Sequence, residues 1–427
     1  MLCRTVFVAS FIVLADRGAP LSRGRGGRRA AHDRPPVIIV PGSLHSRLAV
    51  RAQRDNAQCE GTGDNASEVA YVNWTQWRSR QSQRCWIDRM SLRLTTGQRF
   101  ISPQGVDIEV IDGPTSDKFG SLSALPACDP WTCPEPSTYI AFIQALITGG
   151  YEPGNTLLMA PYDWRHAPGV ELDPYCDALA QLVARTVQRH GQVVLAGHSA
   201  GPPLIGYCLR RQPAEWRKTN LHGMLSLNGL IGGEIDCLET LWRGGDFLNA
   251  AEGVTTWDRA SYRSAQWSWG VTAWCLPQPS LYGNRSLLTI GERYFSANTL
   301  PAAIRLLGSE AVESIGQVLP LVVNSTPPDA GPGVQVWCLY GVGVRTPVHY
   351  TFADGNLSRP PVVTWGDGDG QQPTESNSAC MRWQGENGHN VTVRTFTGAD
   401  HDSLLADERM HRFVLDHVLV PRPVHDR

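Results

Sequence analysis

The chain has 427 residues, 42% of them hydrophobic, and a net charge of -2 from 38 basic and 40 acidic side chains. That is enough apolar material for one large elaborated domain, and the near balance of charge excludes the broad basic field of a nucleic-acid-binding protein. The basic residues are almost all Arg, with Lys only at 118 and 218.

Residues 1–15 combine the basic start "MLCR", the apolar run "TVFVASFIVLA" and a small-residue site at Val13-x-Ala15. This is the pattern of a short secretory signal peptide; a first buried strand is the plainer alternative. Residues 16–34 are rich in Gly and Arg and read as a flexible arm. No later stretch approaches the ~20 apolar residues of a membrane span. Six N-x-Ser/Thr acceptors, at Asn65, Asn73, Asn284, Asn324, Asn356 and Asn390, agree with passage through the secretory route. So do 11 cysteines, which suit an oxidising compartment. They form no paired C-x-x-C clusters and lie beside no clustered His, so no zinc or other metal site is expected; no cofactor is called for either. A secreted or lumenal protein follows.

Residues 35–427 read as one α/β domain. "RPPVIIVPG" places four β-branched residues, Val37 to Val40, between prolines, a buried strand feeding a loop. Residues 53–90 carry cysteine and tryptophan without clean periodicity and form a first insertion. "STYIAFIQALITGG" is a helix, "TLLMAPYDWR" a strand with a polar end, and "DPYCDALAQLVARTVQRHG" a helix with Asp173 in the cap position. "QVVLAGHSAGPPLIGYCLRRQP" reads as strand, turn and helix, and "LHGMLSLNGLIGG" as the next strand and loop. This alternation argues for a mostly parallel sheet. Residues 237–330 break the rhythm and form a second insertion, with Trp257, Trp267, Trp269 and Trp274 close together. Strands resume with "VQVWCLYGVG", "PVVTWGDGDG" and "VTVRTFTGADH".

"GHSAG" (Gly197 to Gly201) sits between a predicted strand and a predicted helix, the setting a G-x-S-x-G nucleophile elbow requires. Pro202-Pro203 directly after it is compatible with a first helical turn, where the missing N–H costs nothing. A serine hydroxyl needs a base, and the base needs a carboxylate to hold its tautomer. Downstream, Asp367 and Asp369 close one β-branched run and His401 follows another, in the chain order Ser, acid, His. A turn role for either Asp and a surface role for His401 are the default readings of each residue alone; their ordered occurrence outweighs them. An oxyanion site needs two amides, one after the nucleophile, Ala200, and one from the loop "VPGSLHS", where Ser43 follows a Pro-Gly turn.

Taken together, "PPVIIVPGSL", "CWID", "APYDWR", "VVLAGHSAG", "WCLYGVGVRTP", "GDGDG" and "GADH" resemble the lecithin:cholesterol acyltransferase family over nearly all of residues 35–405. The resemblance implies an α/β-hydrolase fold with a small disulfide-closed, membrane-binding insertion at 53–90 and a cap or lid at 237–330. It implies Ser199 as nucleophile, Asp369 as acid in preference to Asp367, His401 as base, and Ser43 and Ala200 as oxyanion donors. It also implies disulfides Cys59–Cys85 and Cys338–Cys380; Cys128 and Cys133 could close a local loop outside that pattern. Two stretches depart from the family: Gln371-Gln372 replace a usual Thr-Val after the acid, and "SLNGLIGGEI" stands where "SLGAPWGG" is usual. Trp74, Trp77, Trp267 and Trp269 are expected to meet lipid, since Trp favours the headgroup boundary.

The reading that results is a secreted serine phospholipase and O-acyltransferase. It would cleave a glycerophospholipid ester through acyl-Ser199 and pass the chain to a sterol-type lipid alcohol or to water. Its partner would be a phospholipid membrane or lipoprotein surface, with room for an apolipoprotein-like activator and none for nucleic acid. The alternatives are a phospholipase A without significant transfer, a hydrolase of small soluble esters, and an inactive lipid-binding protein.

Overall fold

The computed structural model describes residues 34–421 except 53–58, 60–67, 72–79, 96–98, 125–137, 170, 245–258 and 386–389. Six strands form the central sheet: β1 (Val37–Val40), β2 (Leu157–Met159), β3 (Val193–His198), β4 (Leu221–Leu227), β5 (Val336–Val342) and β6 (Val391–Thr397). They lie in the order β6-β5-β4-β3-β1-β2, and every neighbouring pair is parallel. β1 through β4 are buried throughout, because helices cover both faces; hence their near-continuous apolar runs. This is the sheet of an α/β-hydrolase.

Two apolar layers flank it. On one face α1 (Thr138–Thr148) packs with the C-terminal segment through Tyr139, Phe142, Leu146, Met410 and Val414. On the other, α2 (Asp173–His190) and α3 (Gly201–Arg210) bury Leu179, Leu182, Leu204 and Ile205. Asp173 begins α2 instead of capping it; its carboxylate binds the Tyr207 hydroxyl at 2.5 Å and the Arg211 guanidinium at 2.9 Å.

A second sheet of four strands holds Ser286–Ile290, Arg293–Ser296, Val344–Phe352 and Val362–Gly368. "PVVTWGDGDG" therefore does not extend the parallel core. Its strand pairs antiparallel with Val344–Phe352, and this hairpin is inserted between β5 and β6. Cys59–Cys85 and Cys338–Cys380 are bonded, and so are two pairs the sequence did not single out, Cys176–Cys208 and Cys237–Cys275. Cys128 and Cys133 lie outside the described residues. Among the described residues no helix is long and apolar enough to cross a membrane.

Two tryptophans correct the expectation of contact with a lipid surface at the headgroup boundary. Trp267 and Trp269 are only 1% and 2% exposed. Trp267 donates its indole N–H to the Leu241 carbonyl at 3.0 Å and Trp269 to that of Met90 at 2.8 Å. Trp269 also meets Trp164 edge-on, with ring centroids 5.2 Å apart. Large apolar area and a satisfied N–H make them core anchors. Through Trp164, Trp269 joins the 237–330 segment to "APYDWR", where the buried Arg165 pairs with the part-buried Asp163 at 2.6 Å. Trp74 and Trp77 lie outside the described residues.

Candidate active site

β3 ends at His198 and α3 begins at Gly201, leaving Ser199 on the turn with φ of +57°. A non-glycine residue in that region is strained, and the surrounding contacts explain why the turn is so tight. A β-carbon on Gly197 would sit 2.6 Å from the Pro202 nitrogen, and one on Gly201 would overlap the Val40 carbonyl oxygen. Only glycine permits both approaches. Pro202 and Pro203 occupy the first turn of α3, where the missing N–H leaves no ladder bond broken.

The loop after β1 presses on the same residue. A β-carbon on Gly42 would come within 2.8 Å of the Ser199 Cβ. Ser43 and Leu44 beyond it line the cavity into which Ser199 opens, and Leu44 too has a positive φ, +65°. Ala200 is fully buried at the N-terminal boundary of α3, whose first-turn amides have no partner within the helix. Ser43 and Ala200 thus flank Ser199, as two amide donors to one oxyanion would.

Asp369 has no exposed surface, and its Oδ2 lies 3.0 Å from His401 Nδ1. The carboxylate is satisfied on every side: Oδ1 accepts from the amides of Gln371 (3.0 Å) and Gln372 (2.7 Å), and Oδ2 from Asn377 Nδ2 (3.0 Å). Burial works against its charge, but His401 and these donors outweigh burial and hold Asp369 below the usual carboxylate range. Burial likewise disfavours the His401 imidazolium, and the Asp369 carboxylate more than offsets it, raising the base to about 9. Asp367 points elsewhere, accepting from the Gly343 amide and the Thr374 hydroxyl, each at 2.6 Å.

Residues that sequence reasoning missed hold the base loop from behind. The His401 carbonyl accepts from His198 Nε2 and from Asn228 Nδ2, each at 2.9 Å. Since Nε2 of His198 must donate, its Nδ1 accepts from the Tyr139 hydroxyl at 3.0 Å, and that hydroxyl accepts from the Gly42 amide at 2.9 Å. Burial, aided by the nearby positive charge of His401, keeps His198 far below the ordinary histidine value and hence neutral. The oxyanion loop, the elbow and the base are thereby tied into one buried chain of hydrogen bonds.

Asn228 has a φ of +42°, and it stands where the family usually places glycine. Asn is the side chain most tolerant of that region after glycine, and here it adds two donors that glycine lacks. The positive φ leaves no periodic signal; the sole hint was the departure "SLN" itself.

Ser199 and His401 open into one cavity of about 340 Å³. Its walls include Leu44, Leu230, Trp269, Val271 and the Cys237–Cys275 disulfide, with Glu234, Asp236, Thr240, Gln266, Gln371 and Asp402 as polar members. Residues of the 237–330 segment supply much of this lining. Among the described residues no cluster of His, Cys, Asp or Glu could hold a metal.

The family model for lecithin:cholesterol acyltransferase matches residues 68–284 and 309–411. Mouse (Mus musculus) lysosomal phospholipase A and acyltransferase is 28% identical over 409 residues, covering 93% of this chain and 91% of that protein. Mouse phosphatidylcholine-sterol acyltransferase is 27% identical over 405 residues, covering 90% and 84%. Among solved structures, the siderophore hydrolase EstB from Aspergillus fumigatus aligns at 14% identity with a TM-score of 0.27, over 67% of this chain and 84% of its own.

Proposed function

Because the chain belongs to the lecithin:cholesterol acyltransferase family, we propose that it is a serine phospholipase and O-acyltransferase acting through Ser199, His401 and Asp369. That it is an acyltransferase/phospholipase of the serine-hydrolase class follows from the family and the fold. The residue roles are our reading, and one observation carries it. The strained Ser199 and the buried His401–Asp369 pair meet at a single cavity beside the Gly42–Leu44 loop.

His401 Nε2 takes the Ser199 proton as the oxygen attacks a phospholipid acyl carbonyl, and Asp369 stabilises the imidazolium that forms. The amides of Ser43 and Ala200 receive the oxyanion. Collapse expels the lysophospholipid, protonated by His401, and leaves acyl-Ser199. A lipid alcohol or water then repeats the attack with His401 again as base. The mouse relatives are named for phospholipase A, acyltransferase and phosphatidylcholine-sterol acyltransferase activities, which supports both acceptors.

The setting we infer is a phospholipid membrane or lipoprotein surface, reached through the secretory route, with an apolipoprotein-like activator as a further partner. The division into a 53–90 membrane-binding insertion and a 237–330 lid belongs to the same proposal. Asn284, Asn324, Asn356 and Asn390 are exposed and accessible to glycosylation; Asn65 and Asn73 lie outside the described residues.

The test is incubation with phosphatidylcholine vesicles containing cholesterol, followed by product identification. Lysophosphatidylcholine with steryl ester and fatty acid is expected. No phospholipid cleavage by protein whose Ser199 reacts with a fluorophosphonate would refute the phospholipid assignment.

A further inference from the structure

The two departures from the family pattern pack against each other. Gln372, from "GDGQQ", donates its side-chain amide to the Asn228 carbonyl (3.1 Å) and to Glu234 Oε1 (3.4 Å), while its backbone N–H holds Asp369. Asn228 and Glu234 both come from "SLNGLIGGEI". Glu234 thereby shares a strut with the catalytic acid, yet the mechanism above leaves it idle.

Glu234 is 9% exposed, and it lines the same cavity as Ser199 and His401. Its backbone N–H is tied to the Cys275 carbonyl at 2.7 Å, so the Cys237–Cys275 disulfide steadies its loop. Its Oε2 lies 3.2 Å from Cys237 Sγ. A disulfide sulfur has no hydrogen to give, so this contact is a hydrogen bond only when the proton sits on Glu234. Among the described residues no Lys or Arg lines the cavity to favour the anion. The charged or titratable groups facing Glu234 are Asp236 on its own loop, Asp369, and His401 with Asp402, with the Tyr282 hydroxyl beside it. Three of these are acidic. Burial first, and then that acidic company against the opposing pull of His401, pushes Glu234 up to about 8.

Deacylation specifies what such a group can do. The attacking alcohol gives its proton to His401 and one lone pair to the acyl carbon. Only its second lone pair is left for binding, and a lone pair needs a donor. A carboxylic O–H supplies one; a carboxylate does not. Water, small and carrying two hydrogens, can be placed by several polar groups of the wall. A lipid alcohol, whose chain dictates its approach, cannot.

We propose that Glu234 is the acceptor-positioning residue of this enzyme, holding the hydroxyl oxygen of an incoming lipid alcohol through its own O–H and so favouring transfer over hydrolysis. This rests on the acyl-transfer reading given above. In wild-type turnover the Glu234 proton is neither consumed nor released: the alcohol proton passes to His401 as the ester forms and returns to Ser199 as the acyl bond breaks.

The experiment measures the ratio of ester to free fatty acid formed from phosphatidylcholine vesicles containing a long-chain primary alcohol. It compares wild type, Glu234→Gln and Glu234→Leu across pH. Both deacylation routes use His401 as base, so the ratio cancels its titration and leaves that of Glu234. The wild-type ratio should fall roughly tenfold as pH rises through about 8. Glu234→Gln, whose amide still donates, should stay high and flat with pH, and Glu234→Leu should stay low and flat. Fluorophosphonate labelling of Ser199 confirms that each variant is folded.

A wild-type ratio that is flat with pH would overturn the proposal, as would a Glu234→Leu ratio matching wild type. Phospholipid cleavage with no ester from the wild type would also overturn it while leaving the phospholipase reading intact. No cleavage at all would instead remove the reading on which it rests.

Discussion

Replacing Asp369 by Asn tests the assignment of the acid, because the two oxygens of Asp369 have different donors. Oδ1 faces two backbone amides, at 3.0 and 2.7 Å, which cannot turn away. The Asn oxygen must therefore occupy that position and its NH2 the position of Oδ2. There the NH2 meets Asn377 Nδ2 donor to donor, and it meets His401 Nδ1 from 3.0 Å. His401 must then accept at Nδ1 and carry its proton on Nε2, the wrong tautomer for taking a proton from Ser199. The same inversion in a serine-protease triad lowers kcat by roughly 10⁴, about 5 kcal/mol of transition-state stabilisation.

The variant should thus lose about four decades in phosphatidylcholine hydrolysis and in fluorophosphonate labelling, with an unchanged far-UV spectrum. Asp367→Asn, which disturbs bonds only to Gly343 and Thr374, should stay within about threefold of wild type. Equal losses in the two variants, or a loss at 369 under tenfold, would refute the reasoning.

The same pair makes stability depend on pH. His401 is raised from 6.5 to about 9, so its contribution is complete below 6.5 and is lost as pH rises through about 9. Asp369 is lowered from 3.8, so its contribution is present above 3.8 and is lost as pH falls through the depressed value. The wild-type Tm should therefore decline between pH 6.5 and 9, and Asp369→Asn should flatten that decline, as read by calorimetry. Ser199→Ala should abolish turnover and labelling while keeping Tm; residual phospholipid cleavage would sink the nucleophile assignment. Gly201→Ala drives a β-carbon into the Val40 carbonyl, and a Tm loss worth more than about 2 kcal/mol is expected. Asn228→Gly keeps the backbone conformation but removes one of the two donors to the His401 carbonyl, so kcat should fall about tenfold with KM little changed. Removing Cys338–Cys380 with a double Ser variant opens a loop of 42 residues, a loss of about 4 kcal/mol in chemical denaturation.

Much of the fold was legible because a parallel sheet buried on both faces demands short apolar strands, and helices between them demand a 3.6-residue rhythm. Val37 to Val40 and "QVVLA" could be nothing else once the intervening helices were placed. The nucleophile was legible for a related reason: a turn with no room for a β-carbon two residues either side of its serine writes two glycines into the sequence. The tryptophans misled because composition does not say which side of a helix faces outward. Trp269 is core only because Trp164 and the Met90 carbonyl come to meet it from more than 90 residues away in the chain.

What the sequence by itself determined is the set of local commitments: the alternating elements, the elbow at Ser199, the chain order of Ser199, Asp369 and His401, and two of the cysteine pairs through their family pattern. Each rests on residues close in the chain or on a shared motif. The residues alone left Asp367 and Asp369 open, and the family pattern favoured Asp369. The tertiary structure supplies the reason, since Asp367 within the strand faces Gly343 and Thr374 while Asp369, in the turn that follows the strand, faces His401. It alone brought His198, Tyr139 and Asn228 behind the base, and Gln372 against Glu234 at a separation of 138 residues. Hydrogen bonds between distant strand ends leave no periodicity in a sequence; they exist only when the sheet has set those ends side by side.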